Sequence, residues 1–174
     1  MKIGVLAVQG AFIEHEHIIE KIGHEVVEIR QRKDLDGIDG IILPGGESTV
    51  QGQLLRKLDM LATIKSLIAD GLPTLATCAG LILLAGHIDN DDSVHIGTLP
   101  VTVKRNAYGR QLGSFVRTAP MKGFDEFPMI FIRAPYISSI KDNVDVLAAV
   151  NDRIVAVQYL SLIHISEPTR LDVI

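Results

Sequence analysis

The stretch Leu72-Pro73-Thr74-Leu75-Ala76-Thr77-Cys78-Ala79-Gly80-Leu81-Ile82-Leu83-Leu84-Ala85 decides the fold. An apolar strand-like run passes through one cysteine and two small residues straight into an apolar helix-like run. A strand that enters a helix through so tight a turn is a nucleophile elbow pattern, which holds the turn side chain at the carboxyl edge of a sheet. There the helix N-terminus favours the thiolate, and its unpaired N–H groups are placed to bind an oxyanion. A lone cysteine among apolar residues is ordinarily a structural core residue. Ala79 and Gly80 tip the reading toward a nucleophile, because small neighbours let a substrate come close.

Strand-like and helix-like runs alternate on either side of the elbow, the rhythm of an α/β protein with a mainly parallel sheet covered on both faces. Ile3 to Val8 reads as a first, central strand that ends at Gln9-Gly10. Residues 12 to 22 read as an amphipathic helix with Phe12, Ile18, Ile19 and Ile22 apolar, stopped by Gly23. Strands are expected over Glu25 to Arg30 and Ile38 to Leu43, and helices over Thr49 to Arg56 and Met60 to Ala69. Further strands are expected over Val94 to Lys104, Met129 to Ile132, Val144 to Val150 and Arg153 to Val157.

The chain has 174 residues, of which 47% are hydrophobic, enough for one well-buried domain and too few for two. A net charge of −4, with no long basic run, argues against a nucleic-acid partner. The opening apolar stretch is too short for a signal sequence or a membrane span. One cysteine makes no internal disulfide, so a cytoplasmic location is expected. No cofactor or metal is expected. Asp89-Asn90-Asp91-Asp92 lacks calcium-loop spacing and reads as a solvated turn. His15 and His17, two apart, do not share a helix face and read as solvated, while His24, His87 and His95 read as ordinary polar positions near element ends.

Pro44-Gly45-Gly46-Glu47-Ser48-Thr49 follows a strand at the edge where open α/β sheets bind ligands. Its glycines permit an unshielded N–H to point into a site, and Ser48 or Thr49 is suited to cap the next helix. Taken with the elbow, it indicates acyl transfer, with Cys78 attacking a carbonyl and N–H groups of Gly46 and Ala79 binding the oxyanion.

Pro44 to Ser48 and Thr77-Cys78-Ala79-Gly80 resemble the class I, or triad, glutamine amidotransferases. Val5 to His15, Arg105-Asn106-Ala107-Tyr108-Gly109-Arg110-Gln111 and Phe131-Ile132-Arg133-Ala134-Pro135 resemble more narrowly the glutaminase subunit of pyridoxal 5'-phosphate synthase. The five motifs occur in order from the first residues to about Tyr159. The resemblance implies a three-layer, flavodoxin-like fold of the class I amidotransferase kind. It also implies hydrolysis of L-glutamine, with ammonia passed to a synthase subunit that builds the vitamin B6 cofactor. On that resemblance Cys78 forms the glutamyl thioester, Gly46, Glu47 and Ser48 line the glutamine pocket, and Arg105 pairs with the α-carboxylate. Ile132 and Arg133 complete the pocket, and Gln9 and Gly10 belong to the docking and oxyanion region.

The ending departs from the pattern. Triad amidotransferases close their catalytic set with His-Pro-Glu, whose histidine is the base and whose glutamate orients it. Here Tyr159 is followed by Leu160-Ser161-Leu162-Ile163-His164-Ile165-Ser166-Glu167-Pro168-Thr169-Arg170, which resembles a translated transposon-type sequencing adapter. The expectation is therefore an incomplete amidotransferase domain over 1–159 and a non-native tail over 160–174, with His164 and Glu167 an accidental pair. The sheet is then expected to lack its last strand and to expose an unpaired edge and apolar surface. A non-catalytic chain that only binds glutamine or the synthase, and another cysteine-elbow hydrolase or chaperone-like protein, remain open alternatives.

Overall fold

A computed structural model describes residues 1–89, 91–105, 115–131 and 135–165. In chain order these form β1 (Lys2–Leu6), α1 (Ile13–Lys21), β2 (Glu25–Ile29), a 3₁₀ turn (Arg32–Leu35), β3 (Gly40–Leu43), α2 (Ser48–Lys57), α3 (Leu61–Ala69), β4 (Thr74–Thr77) and α4 (Ala79–Leu84). Then come β5 (Ala85–Ile88), β6 (Leu99–Lys104), β7 (Phe115–Met121), β8 (Phe124–Phe131), β9 (Tyr136–Ile140), β10 (Asp145–Val150), β11 (Arg153–Tyr159) and β12 (Leu162–Ile165).

The main sheet has the order β2-β1-β3-β4-β12-β11-β9-β6-β5, with β10 paired to β11. The β2-β1-β3-β4-β12 half is parallel throughout, whereas β12-β11, β11-β9, β9-β6 and β10-β11 are antiparallel. From β1 the chain steps outward to β2 and then returns to β3 on the other side, which makes the β1/β3 boundary a topological switch point.

Alternation along the strands fixes what covers each face. Leu6, Ile41, Leu43 and Ala76 join one buried cluster with Leu55 of α2, Ile64 and Ile68 of α3, and Leu81 of α4. Their neighbours Val5, Ile42 and Leu75 point the other way, where Ile19 of α1 and Phe12 meet them. Right-handed crossovers require this split, since α1 and the α2–α3 pair connect strands in opposite directions across the sheet. In α1, Glu14 and Glu16 in the first turn and Lys21 in the last suit the helix dipole, and Gly23 at φ +82° ends it. On the α1 side an open apolar groove of about 260 Å³ runs past Ile3, Ile22, Ile42, Pro73 and Leu75, toward the amino ends of the strands and away from Cys78.

Several features differ from the sequence expectations: the strand expected from Val94 begins only at Leu99, the one expected from Met129 begins at Phe124, and β7 and β9 were not expected. Ala85 is not the last residue of the elbow helix but opens β5, because α4 stops after six residues and the backbone turns extended (φ −57°, ψ 136°). The sheet has no open edge beside β4. Leu162 to Ile165 pair with Thr74 to Thr77 in parallel and with Ala156 to Tyr159 in antiparallel register. The run Leu-Ile-His-Ile contains no glycine or proline, and a ladder is made by backbone groups that any such segment carries.

Candidate active site

Cys78 leaves β4 with φ +46° and ψ −102°, a conformation that costs a non-glycine residue about 1–3 kcal/mol. Its carbonyl accepts from Leu81 N at 3.1 Å and Ile82 N at 3.4 Å, so α4 begins on the cysteine itself. The side chain is half-buried at the carboxyl edge of the sheet. Gly80 serves a different purpose from the one expected. A Cβ there would lie 2.1 Å from Leu43 O, so its bareness lets α4 pack onto β3 rather than admitting substrate. Ala79 is likewise buried beneath the turn.

Beside Cys78 stands the loop after β3. A Cβ on Gly45 would sit 3.5 Å from Cys78 Cβ, which puts the glycine pair against the elbow. Hydrogen bonds tie this loop to the end of β1 and to α2. Ala11 N donates to Gly45 O at 3.0 Å, Glu47 N to Gln9 Oε1 at 2.9 Å, and Gln51 Nε2 to Gln9 O at 2.9 Å and to Pro44 O at 3.3 Å. Gly10, at φ +110°, has no room for a side chain because Gly45 O would lie 2.0 Å from its Cβ. Glu47 N is thereby occupied, whereas the N–H groups of Gly45 and Gly46 take up no acceptor among the described residues.

The cap of α2 is Glu47 rather than Ser48 or Thr49. Its carboxylate accepts from Thr49 N at 3.3 Å and Val50 N at 2.8 Å. Burial alone would push that carboxyl up, but the Val50 and Thr49 N–H groups, the Thr49 hydroxyl and Arg105 outweigh it and hold it below the ordinary carboxylate range. Ser48, now inside the first turn, is buried.

Arg105, just past β6, reaches this cap. Its Nη2 donates to Ser48 Oγ and Thr49 Oγ1, both at 3.0 Å, and lies 3.3 Å from Glu47 Oε1. Its Nη1 donates to Asp91 Oδ2 at 3.0 Å. The guanidinium therefore stands at the glycine loop, neutralised by two of the chain's own carboxylates. Asp91 was read as part of a solvated turn. Hydrogen bonds from Ser93, opposed by some burial and assisted by Arg105, keep its carboxyl below the usual value.

Two histidines depart from the expectations, His15 having been read as solvated and His95 as an ordinary polar position. His15 is 4% exposed and turns inward with Ile19, four residues on. His95 is 7% exposed and lies over Gly52, where a Cβ would meet its Nδ1 at 2.1 Å. That nitrogen is 3.3 Å from Arg56 Nη1. Burial lowers both imidazoles, and in His95 the Arg56 and Arg105 charges lower it further. Gln51, fully buried, carried no sequence signal beyond an apolar-face position in α2. Ile132 and Arg133 lie outside the described residues, as do Asn106 to Gln111 and Glu167. His164 is placed by its backbone, opposite Ala76 and Val157. Among the described residues no three His, Cys, Asp or Glu side chains converge on a metal position, and no helix is long and apolar enough to cross a membrane.

A strained cysteine at a strand–helix turn, an available glycine N–H beside it and a charged head-group cluster one loop away are the parts of an acyl-transfer site on an amino acid amide. Comparison with known proteins gives the same outline. The family model described as the SNO glutamine amidotransferase family matches residues 5–169. The pyridoxal 5'-phosphate synthase subunit PdxT of Desulfitobacterium hafniense is 56% identical over 167 residues, covering 95% of this chain and 84% of that protein. The protein of the same name from Haemophilus influenzae is 54% identical over 162 residues, covering 91% and 84%. A crystal structure of a glutamine amidotransferase superposes with a TM-score of 0.91 at 36% identity, covering 95% of this chain and 89% of that one.

Proposed function

Because the chain belongs to the SNO glutamine amidotransferase family, we propose that it is the glutaminase subunit of a pyridoxal 5'-phosphate synthase. It hydrolyses L-glutamine to glutamate and ammonia and delivers the ammonia to the synthase subunit. The observation that carries this reading is Cys78 at φ +46°, directly against the Gly45-Gly46 loop.

In the proposed reaction the Cys78 thiolate adds to the side-chain carbonyl of glutamine, and the N–H groups of Gly46 and Ala79 receive the oxyanion. Collapse breaks the C–N bond, ammonia leaves with a proton, and a glutamyl thioester remains. Water then adds to the thioester and releases glutamate. Arg105 binds the substrate α-carboxylate by exchanging its contacts to Glu47 and Asp91 for the ligand. Glu47 and Ser48 form the pocket wall, and Ile132 and Arg133 complete it.

Both halves of that reaction need a proton acceptor and donor at the sulfur. The sequence has no His-Pro-Glu. Ile165 is level with Thr77, so β12 ends at the edge where Cys78 stands; the residues that follow in the sequence are Ser166-Glu167-Pro168. We therefore retain the division at Tyr159 as part of the proposal: 1–159 carries the amidotransferase domain and 160–174 brings a strand but no base. The chain as written then binds glutamine and turns it over poorly or not at all. Ammonia release by the chain as written, by a chain with a His-Pro-Glu ending after Tyr159, and by each with the synthase subunit added, tests both parts.

A further inference from the structure

We infer that Gln51 is a positioning residue of the glutaminase, setting the Gly45-Gly46 peptide that receives the oxyanion; this deepens the reading given above and rests on it. Gln51 lies one turn into α2 with its side chain fully buried, directly behind the loop that precedes the helix. Its carboxamide nitrogen spends both hydrogens on backbone carbonyls from two different strand ends, Gln9 after β1 and Pro44 after β3. Because both partners are acceptors, only the NH₂ half of the amide fits there, which fixes the side-chain orientation.

The consequence reaches Gly46 through the peptides on either side of Gly45. Pro44 O, held by Gln51, belongs to the peptide before Gly45. Gly45 O, held by Ala11 N, belongs to the peptide that carries the Gly46 N–H. In a trans peptide the N–H points opposite its carbonyl, so anchoring Gly45 O aims Gly46 N–H away from Ala11. Gln51 Nε2 would lie 2.9 Å from a Cβ on Gly46, so the amide also supports that residue from behind. By gripping Gln9 O it keeps the β1 end in place, and with it the Gln9 side chain that accepts from Glu47 N.

The other half of the amide argues for the same role. Gln51 Oε1 is buried and has no hydrogen-bond partner among the described residues. An apolar side chain of similar length would fill this space without stranding an acceptor. A carboxamide that leaves one end unsatisfied is therefore set apart from plain core packing by what its nitrogen holds.

The test uses the full chain, with Gln51→Met to keep the volume and remove both donors, and Gln51→Glu to replace the donors by acceptors. Cys78 alkylation is followed with two probes, a chloro-ketone analogue of glutamine, which needs the oxyanion site, and iodoacetamide, which does not. In Gln51→Met the chloro-ketone rate should fall about 100-fold, as for a reacting group misplaced by roughly 1 Å. The iodoacetamide rate should stay within about twofold, with the thermal midpoint little changed, and Gln51→Glu should lose at least as much chloro-ketone reactivity. Equal rates for both probes in Gln51→Met and parent, or parallel losses of both rates with the thermal midpoint, would overturn the inference alone. A parent chain whose Cys78 ignores the chloro-ketone while accepting iodoacetamide would overturn the glutaminase reading together with it.

Discussion

Replacing Gly80 by alanine adds one methyl group where the fold has no room for it. The new Cβ would stand 2.1 Å from Leu43 O, 2.9 Å from Leu43 C and 3.0 Å from Leu43 Cβ. Ordinary contact begins near 3.4 Å, so α4 and β3 must part by about 1.3 Å. The obstacle is backbone on both sides, and all six residues of α4 are buried, so no flexible side chain can absorb the shift. Overpacking of this kind costs about 1–3 kcal/mol, here at the upper end, against about 1 kcal/mol gained from the better helix propensity of alanine. The net loss of roughly 1–2 kcal/mol corresponds to a fall in Tm of about 2–8 °C for a chain of this length. Cys78 starts the displaced helix, so its chloro-ketone labelling should slow by about 100-fold. Urea and thermal unfolding, read beside the labelling rate, check both effects. Gly45→Ala is the stability control, because its Cβ meets Cys78 Cβ at an ordinary 3.5 Å. A Gly80→Ala chain within about 0.5 kcal/mol of the parent and labelled at the same rate would refute the claim that Gly80 seats the elbow helix.

Gly46→Ala should also suppress chloro-ketone labelling, since a Cβ there comes within 2.6 Å of Gln9 Oε1 and 3.0 Å of Gly10 Cα; labelling at the parental rate would remove Gly46 from the oxyanion site. With a His-Pro-Glu ending in place, Arg105→Ala should chiefly raise KM for glutamine, whereas Asp91→Asn, which removes a competing carboxylate from the guanidinium, should lower it. Unchanged KM in both would take Arg105 out of the substrate pocket. Stability should fall as the pH drops below about 6.5, the ordinary histidine value. The folded-state values of His15 and His95 lie below their ordinary 6.5, so in that window the unfolded chain binds more protons. His15→Gln and His95→Gln should each flatten the slope, as measured by urea unfolding over roughly pH 5 to 7.5, the range in which an unperturbed imidazole titrates. A slope unaffected by both would contradict their burial as neutral imidazoles.

Strands β1 to β4 and the helices between them were legible because each carries its own local signal. The apolar run of β1, the Ile18/Ile19/Ile22 stripe of α1 and the glycine at 23 fix boundaries without reference to anything distant. The elbow was legible for the same reason, with strand, turn and helix contiguous in sequence. What escaped depends on partners far along the chain. β5 is four residues long and carries the exposed Gly86 and His87, so only its pairing with β6 makes it a strand. β12 is held by β4 and β11, and nothing in Leu162 to Ile165 marks it as central. In the candidate site, sequence motifs pointed to the glycine loop and Arg105, but the Glu47 cap, Asp91 on Arg105 and Gln51 behind Gly46 exist only once β1, β3, α2 and the turn after β5 have met. His95 shows the same limit, since its burial is created by the bare surface of Gly52.

The central claim is that Cys78 is the nucleophile of a glutaminase whose site is built except for its base. Ammonia release from L-glutamine, measured with the synthase subunit present, tests it most directly in three chains: as written, with a His-Pro-Glu ending after Tyr159, and with that ending plus Cys78→Ala. The account predicts turnover in the second chain alone, exceeding the first by about two to four orders of magnitude, the usual contribution of a positioned acid–base group. Equal turnover in the first two chains, abolished by His164→Ala, or turnover that survives Cys78→Ala, would contradict it.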